Sequence, residues 1–236
     1  MKKSLIAGIV LTAAIAAVSA SAADLPVKAK PVAHYDWTGL YIGGVVAGGW
    51  GHSRHCDPTA GGCPGGSADF NMSGWLGGAT LGYNVQWSNL VFGAEADWAF
   101  GQISGSVPDG PLFSCGTAGN CRTNISSVAT LRGRVGYAFD RLLPYFTAGA
   151  AITHVRASDG GTNFLFEDTA TKTNFVWGGG VEYAISPQWS AKLEFLRVGK
   201  VSDFTYSHGA TACPCYMTDT HYDLGRIGLN YRFSSR

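Results

Sequence analysis

The sequence predicts an all-β chain: an eight-stranded antiparallel transmembrane β-barrel with short periplasmic turns and long extracellular loops. Three observations carry this reading. The pattern apolar, any, Tyr, any, apolar occurs four times, at 81–85, 135–139, 181–185 and 229–233. Period-two alternation marks a strand with one apolar face. A Tyr at the same depth in each copy is what an interfacial aromatic girdle requires, so Tyr83, Tyr137, Tyr183 and Tyr231 form a candidate periplasmic girdle. Second, only 14% of residues are charged, with 33 Gly and 12% aromatics, against about 25% charged in an ordinary soluble domain. Third, the connections alternate in length. Short turns fall at 86–89, 140–142 and 186–188, and long polar segments at 51–69, 102–123, 156–172 and 199–220. That asymmetry belongs to outer-membrane barrels.

Residues 1–22 read as a signal peptide. Lys2 and Lys3 precede an apolar run from Leu5 to Val18, and Ala20 and Ala22 supply an A-x-A cleavage site, with Ala23 the adjacent alternative. The run is shorter than the ~20 residues a spanning helix needs. Cleavage takes the formal charge from +1 to −1. No basic patch remains for nucleic acid. Residues 23–36 read as a periplasmic leader, because Pro26, Lys28, Lys30 and Pro31 disfavour regular structure. Peptidoglycan contact through Lys28 and Lys30 is the alternative. The barrel is expected over 37–233, with 234–236 as a tail.

Strand one is expected over 37–50, with Leu40, Ile42, Val46 and Trp50 on the lipid face. Strand two covers 70–85, showing Trp75, Ala79, Leu81 and Tyr83. Strand three covers 90–101, where Phe92, Ala94, Ala96, Trp98 and Phe100 alternate with Glu95 and Asp97. Strand four covers 124–139, where Ala129, Leu131, Val135 and Tyr137 alternate with Thr130, Arg132 and Arg134. Strand five covers 143–155, with Phe146, Ala148, Ala150 and Ile152 opposite Tyr145, Thr147 and Thr153. Strand six covers 173–185, with Phe175, Trp177, Val181 and Tyr183 opposite Asn174 and Glu182. Strand seven covers 189–198, with Ala191, Leu193 and Phe195 opposite Lys192 and Glu194. Strand eight covers 221–233, with Ile227, Leu229, Tyr231 and Phe233 opposite Arg226, Gly228 and Asn230. His221 and Asp223 share the apolar parity there, which predicts a bulge or a strand projecting beyond the membrane. Arg197 shares the lipid-facing parity of strand seven and is expected at the outer interface, near lipid phosphates.

The inward parity collects Glu95, Asp97, Glu182 and Glu194 against Arg132, Arg134, Lys192 and Arg226. Eight strands leave an interior that side chains fill, and pairing avoids burying a lone ion. The expectation is a salt-bridged plug. The alternative is a gated ion path lined by the same residues. Alternating inward charges follow from the architecture, so no catalytic residues and no enzyme are expected.

All six cysteines fall in the expected extracellular loops: Cys56 and Cys63, Cys115 and Cys121, Cys213 and Cys215. An even count in an exported chain predicts disulfides. Cys56–Cys63 and Cys115–Cys121 are natural local pairs. A bridge between Cys213 and Cys215 would be strained, so these two are candidates for cross-linking loops. Haem or metal capture is the competing use. His52, His55 and Cys56 cluster in loop one, and His208, Cys213, Cys215 and His221 surround loop four. The spacings match no standard zinc site, and an oxidising compartment favours disulfides over thiolates. Neither a metal nor a cofactor is therefore assigned, with haem kept as the alternative. The glycine pairs Gly43-Gly44, Gly48-Gly49 and Gly77-Gly78 and the run Gly178-Gly179-Gly180 lack the strand–loop–helix context of phosphate loops. They suit barrel curvature.

At this point the chain resembles a known family. Ala23-Asp24-Leu25-Pro26 followed by Trp37-Thr38-Gly39-Leu40-Tyr41-Ile42-Gly43-Gly44 looks like the start of small α-proteobacterial outer-membrane β-barrel proteins. Arg132-Gly133-Arg134-Val135-Gly136-Tyr137-Ala138 with Leu143-Pro144-Tyr145 is similar to their central hairpin, and Gly228-Leu229-Asn230-Tyr231-Arg232-Phe233 to their closing strand. The resemblance implies an OmpA-like, porin-family barrel of the surface-antigen type. It implies a place in the bacterial outer membrane among its lipids and lipopolysaccharide, and assembly machinery that reads the last strand. Some relatives bind haemin or host surfaces, and some are called porins. Family chains usually stop at the terminal Phe, whereas Ser234-Ser235-Arg236 follow Phe233 here. The functional expectation is a structural surface protein supporting envelope integrity. A narrow porin and a loop-borne binder of haem or host surfaces are the rivals.

Overall fold

The computed structural model describes residues 35–56, 67–108, 120–160, 166–201, 204–206 and 215–233. The expected signal peptide, most of the leader and the C-terminal tail lie outside these residues.

The described chain forms nine strands: β1 (Gly39–Cys56), β2 (Ser67–Trp87), β3 (Leu90–Pro108), β4 (Asn120–Tyr137), β5 (Leu142–Gly160), β6 (Phe166–Ala184), β7 (Trp189–Val201), β8 (Phe204–Tyr206) and β9 (Cys215–Arg232). Consecutive long strands pair antiparallel, β7 pairs β9, and β9 returns to pair β1. The circuit is therefore a closed eight-stranded barrel. The three-residue β8 lies outside the circuit, against the start of β9.

Closure follows from the alternation. Outward positions carry Leu40, Ile42, Val46 and Trp50 on β1, Trp98 and Phe100 on β3, and Ile227 and Leu229 on β9, all substantially exposed. Tyr83, Tyr137, Tyr183 and Tyr231 also point outward, at the periplasmic strand ends. Two of them meet the next outward aromatic: Tyr137 lies tilted against Phe139 at 4.7 Å between ring centres, and Tyr231 edge-on to Phe233 at 5.2 Å. The aromatic band is two rungs deep there.

The strands run further than the alternation predicts, chiefly at the extracellular end, while the periplasmic ends agree within one or two residues. β1 continues six residues past Trp50, and β3 continues to Pro108. The outward apolar run on β1, Leu40 to Trp50, matches the ~9–11 residues that cross a bilayer. Above it the outward residues become polar, so the apolar signal stops while the ladder does not. As a result Cys56, Cys121 and Cys215 sit on strands β1, β4 and β9, not in loops as the sequence suggests. Cys63, Cys115, Cys213 and His208 lie outside the described residues.

Register shifts also concentrate at that end, at Phe100/Ile103, Ile125/Ser127, Arg54/His55 and Val198/Val201. On β4 the inward parity switches from Ile125 to Val128 across Ser126-Ser127. His221 and Asp223 need no bulge of their own. His221 faces outward above the apolar belt, and Asp223 takes a two-pronged pair from its cross-strand neighbour Arg197, at 2.8 and 2.9 Å. Arg197 thus spends its guanidinium on Asp223.

Candidate functional site: the layers inside the barrel

The inward side chains stack in four layers along the barrel axis. At the periplasmic mouth, Trp37 packs on Val91, Ala138, Leu143 and Ala184. Trp37 belongs to a strap ahead of β1, not to the strand the sequence suggests. Its Nε1–H donates to the Asp140 carbonyl at 3.0 Å, and its backbone N–H to Gln86 Oε1 at 2.7 Å. The Tyr35 N–H donates to Asp140 Oδ1 at 2.9 Å, and its hydroxyl to the Pro187 carbonyl at 3.3 Å. One short segment thereby ties down all three periplasmic turns. From the last strand, the Arg232 guanidinium lies over the Tyr35 ring at 4.3 Å. Tyr35 and Asp36, assigned to the leader by sequence, are part of the folded unit.

The charged layer is next, and it brings together all eight residues the sequence singles out. None is more than 6% exposed. Arg132 is the hub: it donates to Glu95 at 2.6 Å, Asp97 at 2.8 Å and Glu194 at 2.9 Å. Lys192 Nζ sits on both oxygens of Glu95, at 2.8 and 2.7 Å. Arg226 donates to Asp97 at 3.1 Å and stands 3.3 Å from Glu194 Oε2, an ion pair without hydrogen-bond alignment. Arg134 donates to Glu182 at 2.7 Å. β3 and β7 are opposite walls of the circuit, so the Glu95–Lys192 pair crosses the full diameter. Four cations meet four carboxylates, which leaves the layer neutral.

Tyr41, Tyr145 and Ser190 complete the layer, and charge counting does not find them. The Tyr41 hydroxyl donates to Glu95 at 2.8 Å, that of Tyr145 to Glu194 at 2.9 Å, and that of Ser190 to Glu182 at 2.5 Å. The sequence does hold a signal for the tyrosines. Each faces a glycine across its ladder: Tyr41 opposite Gly82, Tyr145 opposite Gly180. A Cβ on Gly82 would collide with the Tyr41 ring, so the glycine makes room for the phenol to reach inward.

Above the charges the same inward parity turns apolar. Met72, Leu76, Ile103, Ile125, Val155, Val176, Leu196 and Leu224 fill the lumen. The sequence reading singles out the charged inward positions and does not identify this apolar layer. The carboxylates each carry at least one cation, and the layer above them is built of buried apolar side chains.

The top layer is a polar ring. Ser53 Oγ bridges Thr123 Oγ1 at 3.0 Å and Thr220 Oγ1 at 2.9 Å, and His55 Nε2 meets Thr123 Oγ1 at 2.7 Å. His52 and His55, grouped by sequence as one candidate haem or metal cluster, point to opposite faces of β1: three residues along a strand reverses the side. Among the described residues no group of three or more metal-ligating side chains forms.

His55 lies above the membrane-spanning part of β1. Burial pushes its imidazole down to about 4, from about 6.5 in the unfolded chain. A depressed histidine contributes stability that is complete above pH 6.5 and is lost as pH falls toward 4. The unfolding free energy from urea titration is expected to drop between pH 7.5 and 5, by up to about 1.4 kcal/mol per pH unit within the window. His55→Gln should flatten the slope; an unchanged slope would rule this source out. Asp69, also above the belt, is held below its ordinary range by its hydrogen bond from Arg54. Its contribution fades only at lower pH.

A closed barrel with an aromatic-edged apolar exterior and a self-neutralised interior defines a class: an integral outer-membrane β-barrel protein. The chain belongs to the outer membrane protein beta-barrel domain family, whose model matches residues 10–233. It is 33% identical over 252 residues to the 31 kDa outer-membrane immunogenic protein of Brucella melitensis, covering 99% of this chain and 100% of that one. It is 25% identical over 208 residues to the 25 kDa outer-membrane immunogenic protein of the same organism, covering 88% and 84%. Among solved structures it resembles the outer membrane protein OprG from Pseudomonas aeruginosa, with a TM-score of 0.50 and 14% identity, covering 86% of this chain and 99% of that one. The protein resides in the outer membrane, as the family and the fold require.

Proposed function

We propose that this protein is a sealed structural barrel that braces the outer membrane and displays a disulfide-stiffened outer end. The observation that carries the reading is the stacking of three obstructions in one lumen: the Trp37 strap, the Arg132 network and the apolar layer. An ion would have to break the network and then cross a dry segment, which favours a sealed barrel over a narrow porin. Residues 1–22 act as the export signal in this reading, and the last strand is what the assembly machinery reads. Cys121 supports the bracing: it is completely buried at the outer end of β4, where a disulfide in this reading would lock the strand ends together. The immunogenic character of the Brucella relatives supports surface display.

Single-channel recording of the refolded protein in a planar bilayer tests this. A silent, fully inserted barrel is expected. Steady conductance that changes on Glu95→Gln would overturn the sealed reading in favour of a small porin.

A further inference from the structure

We propose that His52 and His221 form a surface site for a borderline d-block cation such as Zn²⁺, Ni²⁺ or Cu²⁺, placed across the seam that closes the barrel. The two residues are direct cross-strand partners on β1 and β9, the first and last strands of the circuit. Both face outward, one rung above Trp50. Their ring centres are 6.3 Å apart, with planes inclined by 38°. Metal–nitrogen bonds of about 2.0–2.1 Å hold two ligating imidazoles at about that spacing or slightly closer. Imidazole is the ligand of choice for this class of ion.

The surroundings suit a cation. His52 Nδ1 lies 3.4 Å from Asn71 Oδ1, and Nε2 lies 3.6 Å from Asp69 Oδ1. Both contacts are long, so a half-turn of the exposed ring, which swings Nδ1 to the β9 side, gives up little. Asp69 remains beside the ring as the carboxylate that commonly orients a ligating histidine. The two nearby arginines are already neutralised, Arg54 by Asp69 and Arg197 by Asp223, at 2.7 and 2.8 Å. The remaining coordination positions would be water, as in an open, exchangeable site. Because the ligands come from strands at opposite ends of the chain, the folded barrel presents both together and the unfolded chain does not. The metal should therefore stabilise closure.

The experiment is a Zn²⁺ titration of the detergent-folded protein against a chromophoric chelator, paired with urea unfolding with and without Zn²⁺. One site per barrel is expected. His52→Asn and His221→Asn should each weaken it at least tenfold, and His154→Asn, on β5, should leave it unchanged. Zn²⁺ should raise the urea midpoint of the parent and of His154→Asn but of neither seam variant. Three outcomes would overturn the proposal: no binding below millimolar Zn²⁺, equal binding by the His52/His221 double variant, or loss with His52→Asn but not with His221→Asn. Ni²⁺ in place of Zn²⁺, read by its visible spectrum, reports imidazole ligation directly and must show the same dependence.

Discussion

Arg132→Ala is expected to be among the most damaging single substitutions in the barrel, costing about 3–5 kcal/mol, the usual range for removing one partner of a buried ion pair. The reason lies in the hub geometry. Arg132 donates to Glu95, Asp97 and Glu194, and its Nε–H to Thr130 Oγ1 at 2.9 Å. Truncation removes a cation from three carboxylates at once, in a layer where none is more than 6% exposed. Lys192 still holds Glu95 and Arg226 still holds Asp97, so Glu194 loses most, keeping the Tyr145 hydroxyl at 2.9 Å and the Arg226 ion pair at 3.3 Å. Glu194→Gln in the Arg132→Ala background should therefore recover part of the loss, because it removes a charge left poorly compensated. Urea unfolding followed by the mobility difference between folded and unfolded bands measures both. A loss under 1 kcal/mol for Arg132→Ala, or further destabilisation by the second change, would mean the layer is wet and its charges individually solvated. High salt should change the parent little, because screening acts weakly on buried pairs.

The same layer shows why much of this protein is legible in its sequence. A barrel strand permits only two directions for a side chain, so parity alone assigns Glu95, Asp97, Arg132, Arg134, Glu182, Lys192, Glu194 and Arg226 to the interior, and few strands force them to meet. The four tyrosines at the periplasmic strand ends fix the phase of four strands independently. The signal fails where apolar-out, polar-in alternation no longer describes the physics. Above Trp50 the exterior faces headgroups and water, and the lumen must still be filled. The pattern then inverts, with Ile103, Ile125 and Leu224 inside and His52, Arg54 and His221 outside. Read by the membrane rule, those segments look like loops, which misplaces Cys56, Cys121 and Cys215 and merges His52 with His55. Trp37 is misread for a related reason. An aromatic two residues ahead of an alternating run reads as part of the strand, and nothing local reveals that the chain bends there to reach turns 49 and 103 residues away.

That strap gives the second large effect. Trp37→Ala should destabilise the barrel by about 3–5 kcal/mol, the range for truncating a fully buried aromatic. Tyr35→Ala should cost distinctly less, because its ring is partly exposed. The two differ in kind as well as size. Trp37 is 1% exposed and supplies the centre of the periplasmic cluster, so its loss opens a cavity at the mouth. Tyr35 mainly caps Arg232 and Pro187 from outside. The strap engages the turns after β2, β4 and β6 and the side chain of Arg232 on β9, so it can dock fully only once those elements have assembled. Trp37→Ala should accordingly speed unfolding far more than it slows folding, as expected of contacts formed after the transition state. Amide exchange locates the effect. The Ala138 and Ala184 N–H groups, which donate to the turn carbonyls of Asn89 and Arg141 at 2.7 and 2.8 Å, should lose protection, while amides of the apolar layer such as Val155 keep theirs relative to the global limit. If folding slows as much as unfolding quickens, the strap docks early and helps to nucleate the barrel. If neither rate moves, Trp37 occupies the mouth without sealing it.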